Sequence, residues 1–258
     1  MTEKRPNQWL RFWATGCVCV LLVLGEAVGL AEVDVQPGNV AYSGRLTFVR
    51  LRYDMARSLS GGFFRQDVKW AHDYPRAERN LTKILEAITS IDPFQGPNGG
   101  NVLSLDDPEL HKFPIAYMSE PGFWHPTETE VLGLRHYWQK GGFLIFDDFW
   151  GDHWQNFETQ LRRVLPGARP LPMELTHPIF HSFFDIETLE MPPMYGPPVE
   201  FHGIFEDNDP GGRLMAIVNF NNDIGEYWEY SDTGWLPIDL SNEAYKFGVN
   251  YLLYALMH

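Results

Sequence analysis

The chain has 258 residues, 44% hydrophobic and 21% charged, with a net charge of −14 at neutral pH. That length supports one well-buried domain and is marginal for two. The acidic balance excludes general nucleic-acid binding and docking on anionic lipid, which need basic surface, and fits a neutral or cationic partner.

The amino terminus reads as a targeting segment. Lys4, Arg5 and Arg11 form a basic region, an apolar run from Ala14 to Leu24 follows, and Gly29-Leu30-Ala31 offers a cleavage site. The expectation is a signal peptide over 1–31 and an exported protein, periplasmic or extracellular. The alternative is an uncleaved membrane anchor, disfavoured by Glu26 and by an apolar run shorter than the ~20 residues a span needs. Cys17 and Cys19, the only cysteines, lie in this segment. The expected mature chain therefore has no disulfide, cysteine-ligated metal or cysteine nucleophile, and no membrane span.

Residues 32–44 read as a lead-in, and 45–258 as a single α/β domain. Arg45–Tyr53 alternates like a strand and ends at Asp54. Ser58–Trp70 reads as a loop over the sheet edge. Pro75 opens a helix buried through Leu81, Ile84, Leu85 and Ile88. Asn101–Leu105 and Phe113–Met118 are strands, the second apolar enough to be central. Thr127 to Glu130 fits a capping box for a helix that Gly141 stops. Phe143–Phe146 is a short buried strand with Asp147 and Asp148 at its end. A helix through Phe157 and Leu161, an extended Leu171–Leu175 and a turn at His177–Phe183 come next. The strands 201–205 and 213–220 are joined by the turn signal Asp207–Gly212, and Ser241 is the expected cap of a last helix. Alternating strands and helices predict a mostly parallel sheet with right-handed crossovers.

Several stretches carry a resemblance. They are Phe48–Asp54, Asp73–Asn80, Leu105–Leu110, Tyr117-Met118-Ser119, Gly141–Phe149 and His177–Phe180. In this order they resemble the bacterial domain of unknown function 4159 family, over roughly Leu46 to Leu256. The resemblance implies a three-layer α/β/α sandwich, flavodoxin-like and related to the class I glutamine amidotransferase-like group. It implies no catalytic residue. Amidotransferases place a cysteine at a tight turn after a central strand, and this chain carries Asp147-Asp148 at the comparable strand end. Their chemistry is therefore not expected.

Six residues stand out as ligand-binding candidates: Asp54, Asp147, Asp148, Trp150, His177 and His181. The carboxyl ends of strands in an open α/β sheet are where ligands bind. Neighbouring strand residues point to opposite faces, so at most one of Asp147 and Asp148 is expected to face a given cleft. The structural alternative has one capping the next helix and the other bonding loop amides. His177 and His181 share a helical spacing that Pro178 argues against, so no metal site is assigned from them. Asp54 ends the first strand, with Asp73, Asp106 and Asp107 as further acids. Arg50 and Arg52 either pair with these acids inside the sheet or bind an anion. Ser119 lacks a nucleophile elbow. Aromatics make up 15% of the chain, with nine Trp. Trp124, Trp138, Trp150, Trp154, Trp228 and Trp235 are either a sugar-stacking wall or core packing, with Trp150 the one favoured for binding.

Two readings follow. The first is a non-catalytic module binding a small polar ligand, such as a carbohydrate, or a protein partner at the strand ends, with no cofactor. The second is a hydrolase using Asp147 or Asp148 with His177 or His181, with or without a divalent metal.

Overall fold

A computed structural model of the chain describes residues 38–55, 67–193 and 196–258. The expected signal segment, with Cys17 and Cys19, and most of the 58–70 loop lie outside the described residues. The strands are β1 (Phe48–Arg52), β2 (Gly100–Ser104), β3 (Ile115–Ser119), β4 (Phe143–Phe149), β5 (Leu171–Pro172), β6 (Glu200–Phe205) and β7 (Leu214–Phe220). They form one sheet in the order β2-β1-β3-β4-β7-β6-β5. β1 pairs parallel with β2 and β3, and β4 parallel with β3 and β7. β6 runs antiparallel to β7, and β5 antiparallel to β6. The predicted mostly parallel sheet is therefore present, with an antiparallel strand in its second half.

Helices cover both faces: α1 (Arg76–Ile88), α2 (Glu128–Gln139), α3 (His153–Val164), α4 (Ile224–Glu229) and α5 (Ile238–Met257). The period of two along β4 divides the core. Phe143 and Ile145 join Leu81 and Leu85 of α1, Trp228 of α4 and Phe247 and Tyr251 of α5. Leu144 and Phe146 join Leu134 and Trp138 of α2 and Phe157 and Leu161 of α3. Each strand is thus apolar on both sides, as a sheet covered by two helical layers requires. Chain direction reverses in the middle: α1 leads from β1 outward to β2, whereas α2 leads from β3 the other way, to β4. The carboxyl ends of β1 and β3 flank this switch point, the usual place for a ligand cleft.

Local signals act as expected at several ends. Thr127 caps α2, with its hydroxyl accepting from Glu130 N and the Glu130 carboxylate accepting from Thr127 N. Gly141, at φ 91°, ends the turn after α2 in a conformation that favours glycine. The lead-in runs beside edge strand β2, where the Asn39 side chain bonds both the N–H and the C=O of Val102 and blunts the edge. Ser241 is not a cap. α5 begins at Ile238 after Pro237, and Ser241 lies buried in its first turn with its N–H on the Pro237 carbonyl. No helix among the described residues is long and apolar enough to cross a membrane.

Candidate functional site

The carboxyl ends of β1, β3, β4 and β7 each deliver acidic side chains to one place. After β1 comes a short 3-10 helix, Lys69–Ala71, then His72 and Asp73. Its position is set from beneath by Arg50. The guanidinium is buried, pairs with Glu78 of α1 at 2.5 Å, stacks 4.5 Å over the Tyr117 ring and donates to the carbonyls of Trp70 (3.2 Å) and His72 (2.9 Å). β3 ends in Ser119-Glu120, where Glu120 adopts a left-handed φ of 47°. The Tyr53 hydroxyl holds this turn, 2.6 Å from the Glu120 carbonyl and 2.9 Å from that of Ser119.

β4 carries Asp147 and Asp148 across a bulge. Its register with β7 shifts between Phe146 and Phe149, and Asp148 sits at φ 62°. Bulges re-aim side chains near functional sites. The loop after β7 is stitched to it, with Asp148 N donating to Asn222 O at 3.1 Å and Asn221 N to Phe149 O at 2.8 Å. That loop brings Asp223, whose carboxylate caps α4 by accepting from Glu226 N at 2.8 Å. Gly225 is needed for the approach, because a Cβ there would lie 2.5 Å from Asp73 Oδ2 and 2.7 Å from the Tyr117 hydroxyl.

The result is a buried acidic cluster. Exposure is 8% at Asp73, 2% at Glu120, 0% at Asp147, 2% at Asp148 and 6% at Asp223. Asp147 accepts from the Tyr117 hydroxyl (2.7 Å) and Gly225 N (2.9 Å), and Asp148 from the Ser119 hydroxyl (3.0 Å). His72 Nδ1 lies 3.7 Å from Asp148 and 2.6 Å from Glu120, and Lys69 Nζ 3.0 Å from Glu120. Even so, Asp73 Oδ2, Glu120 Oε2 and Asp147 Oδ1 are buried with no hydrogen-bond partner among the described residues. Five of these side chains offer two sets of donors that share Asp148, the atoms of each set within 4.8 Å of one another: His72, Glu120 and Asp148, and Asp73, Asp148 and Asp223. A third set joins Asp73 to the half-buried Glu226 and Glu229.

Titration follows from burial and crowding. Burial and then Asp148 push the Asp73 and Asp223 carboxyls well above the usual range. Burial lifts Asp147 to about 6, against the hydrogen bond from Tyr117. Asp148 and Glu120 together raise His72 to about 11, so it is an imidazolium at neutral pH. Tyr53 and Tyr117 are pushed up by burial and then by the nearest carboxylate, Glu120 and Asp147 respectively, and act as proton donors.

Of the six sequence candidates, the structure brings Asp147 and Asp148 into the cluster. Only Asp148 of the pair belongs to the donor sets, while Asp147 accepts from the Tyr117 hydroxyl and Gly225 N and its charge adds to the rise at Asp73 and Asp223. Trp150 is half-buried on the loop after β4, its ring 5.5 Å from that of His153. Asp54 is exposed and belongs to none of the donor sets; its charge acts on Glu130 of α2. His177 lies at the opposite end of the sheet. Its ring packs 5.7 Å from Phe205 and 5.5 Å from Tyr254, and Tyr254 packs on Phe143, the first residue of β4. The whole of β4, roughly 20 Å at ~3.3 Å per residue, separates it from Asp148. His177 caps the 3-10 helix Pro178–His181 by accepting from Ile179 N, while exposed His181 bonds Leu175 O and Asp185. The pairing of Asp147 or Asp148 with these histidines is therefore corrected: Pro178 starts a structural turn that docks on α5. Trp124, Trp138 and Trp228 are fully buried core residues, not a stacking wall.

His72, Glu120, Asp223 and Lys69 were not singled out from sequence. Glu120 follows β3 directly and Asp223 ends the short Asn221-Asn222 turn after β7, and a carboxylate just past a strand is the signal that could have found them. Arg50 pairs with Glu78, not with the strand-end acids, and so takes the structural role.

The family described as Domain of unknown function (DUF4159) matches residues 47–256. No curated protein matches the chain.

Proposed function

The chain belongs to the DUF4159 family, and from that premise we propose that it is a binding module whose site is the acidic cleft at the carboxyl ends of β1, β3, β4 and β7. The observation that carries this reading is that three of the four buried carboxylate oxygens with no hydrogen-bond partner among the described residues, on Asp73, Glu120 and Asp147, belong to this cluster, the fourth being on Glu78 in its pair with Arg50. An unpaired buried polar group costs about 1–3 kcal/mol, more when charged, and left-handed non-glycine residues add to that at Asp73, Glu120 and Asp148. Strain and unmet polar groups at one place are what a preorganised site retains. The ligand class is small, polar and cationic or rich in hydroxyls. Half-buried Trp150 follows Asp148 by two residues, its ring 5.5 Å from that of His153.

The test is a thermal-shift panel of sugars, polyols, amines and metal salts on the wild-type chain and on Asp148→Asn. A left-handed backbone accommodates Asn, so the variant keeps the fold. At least one ligand raises the wild-type Tm and loses at least tenfold in affinity with Asp148→Asn. A panel with no response, or an unchanged response in the variant, defeats the reading.

Export belongs to the same proposal. It rests on the basic region, apolar run and Gly29-Leu30-Ala31 of the amino terminus. Intact Met1 in the mature protein would overturn it. Kinship with amidotransferase-like domains is likewise proposed, with the mostly parallel sheet as support.

A further inference from the structure

We propose that Asp73, Asp148 and Asp223 form a site for one hard divalent cation of the Mg²⁺, Mn²⁺ or Ca²⁺ class. This deepens the binding reading and rests on it. One oxygen from each of the three carboxylates lies within 4.8 Å of the others. Acidic clusters are common on surfaces, but this one is buried. Asp73 is 8% exposed, and its Oδ2 is enclosed with no hydrogen-bond partner among the described residues.

The partners around the three acids favour metal ligation over a salt bridge. Lys69 pairs with Glu120 and Asp67, and His72 lies closest to the same two acids, reaching Asp148 only at 3.7 Å, while Arg50 acts on Asp73 electrostatically from its pair with Glu78. Among the described residues, neither Lys69 nor His72 forms an ion pair with Asp73 or Asp223. The ligating groups are also oriented from behind, as metal ligands generally are. Ser119 Oγ donates to Asp148 Oδ2, and Asp223 is held by Glu226 N. Two of the ligands come from strand ends and one from the loop opening α1, so α1, β4 and α4 are cross-linked by one ion. An all-carboxylate set selects hard cations over zinc or copper, which prefer nitrogen or sulfur.

The experiment uses the full chain, stripped with chelator and dialysed. Tm is read against MgCl₂, MnCl₂ and CaCl₂, and bound Mn²⁺ is counted by electron paramagnetic resonance. The variants are Asp73→Asn and Asp223→Asn, since Asn keeps both the left-handed turn and the helix cap. Asp106→Asn, an exposed acid outside the cluster, is the control. With cation at 100 times its Kd, the wild type and the control gain roughly 5–10 °C and bind one Mn²⁺. Asp73→Asn and Asp223→Asn lose the gain, and their chelator-treated Tm equals or exceeds that of the wild type, because a buried like charge has been removed. A structural role for Asp73 would instead lower that Tm.

A wild type that responds to none of the three salts overturns the proposal, as does an equal response in Asp73→Asn. If organic ligands still shift the wild type in an Asp148-dependent way, the cation site falls and the binding cleft stands. If nothing shifts it, both fall.

Discussion

Arg50 shows how much one buried side chain organises. It is 1% exposed, its partner Glu78 is 2% exposed, and its remaining donors hold the backbone that presents His72 and Asp73. Removing one member of a buried pair strands the other charge and costs about 3–5 kcal/mol. Arg50→Met is therefore expected to lose that much in urea unfolding. Arg50→Met with Glu78→Leu is expected to recover most of it, because a well-packed apolar pair has no charge to desolvate. The recovered double variant separates stability from function. Its loop 69–73 no longer has the guanidinium anchor, so ligand or cation response stays impaired. A double variant with wild-type response would remove Arg50 from the positioning of the site.

At the scale of elements, termini and bulges matter more than interiors. The capping box of α2 was legible in the order Thr127-Glu128-Thr129-Glu130, and the structure forms both of its hydrogen bonds. Thr127→Ala is expected to cost about 1 kcal/mol, a fall in Tm of roughly 2–4 °C for a domain of this size, measured by calorimetry. No change in Tm would mean that tertiary packing of Leu134 and Trp138 alone holds the helix. α4 was not foreseen, although Asp223 with Glu226 three residues on is a start signal. Six residues after a strand give too little periodicity to register against the turn residues around them. The bulge in β4 was invisible for a different reason. Asp147-Asp148 reads as plain alternation until the hydrogen bonds with the β7 loop impose the extra residue.

At the scale of the molecule, the two ends of the sheet do different work. The carboxyl ends gather charge, while the amino ends close over aromatic rings around His177. There burial and then His258 lower the pKa of His177, and its Nδ1 accepts from Ile179 N, so the fold requires the neutral ring. A folded pKa below the unfolded value, ~6.5, gives stability that is present above that pH and is lost as pH falls through it toward the folded value. Asn in place of His177 retains a capping oxygen and does not titrate. His177→Asn is therefore expected to show a smaller fall in Tm than the wild type between pH 7.5 and 5.5, with ligand and cation responses unchanged, since the residue lies a strand's length from the cleft. Equal pH profiles would refute the titration, and a lost response would refute the placement.

What the sequence determined by itself is local: most of the strands and the longer helices, the capping box, the glycine stop at Gly141, and the presence of carboxylates where β4 ends. These depend on neighbours within a few residues, so period and turn chemistry reveal them. The tertiary structure decided which acids meet. His72 and Asp73, Glu120, Asp148 and Asp223 are far apart in the chain. They converge because β1, β3, β4 and β7 are neighbours in the sheet, with left-handed turns at Asp73, Glu120 and Asp148. Strand order and backbone handedness are settled by burying both faces of the sheet at once. The same packing carried His177 to the far end.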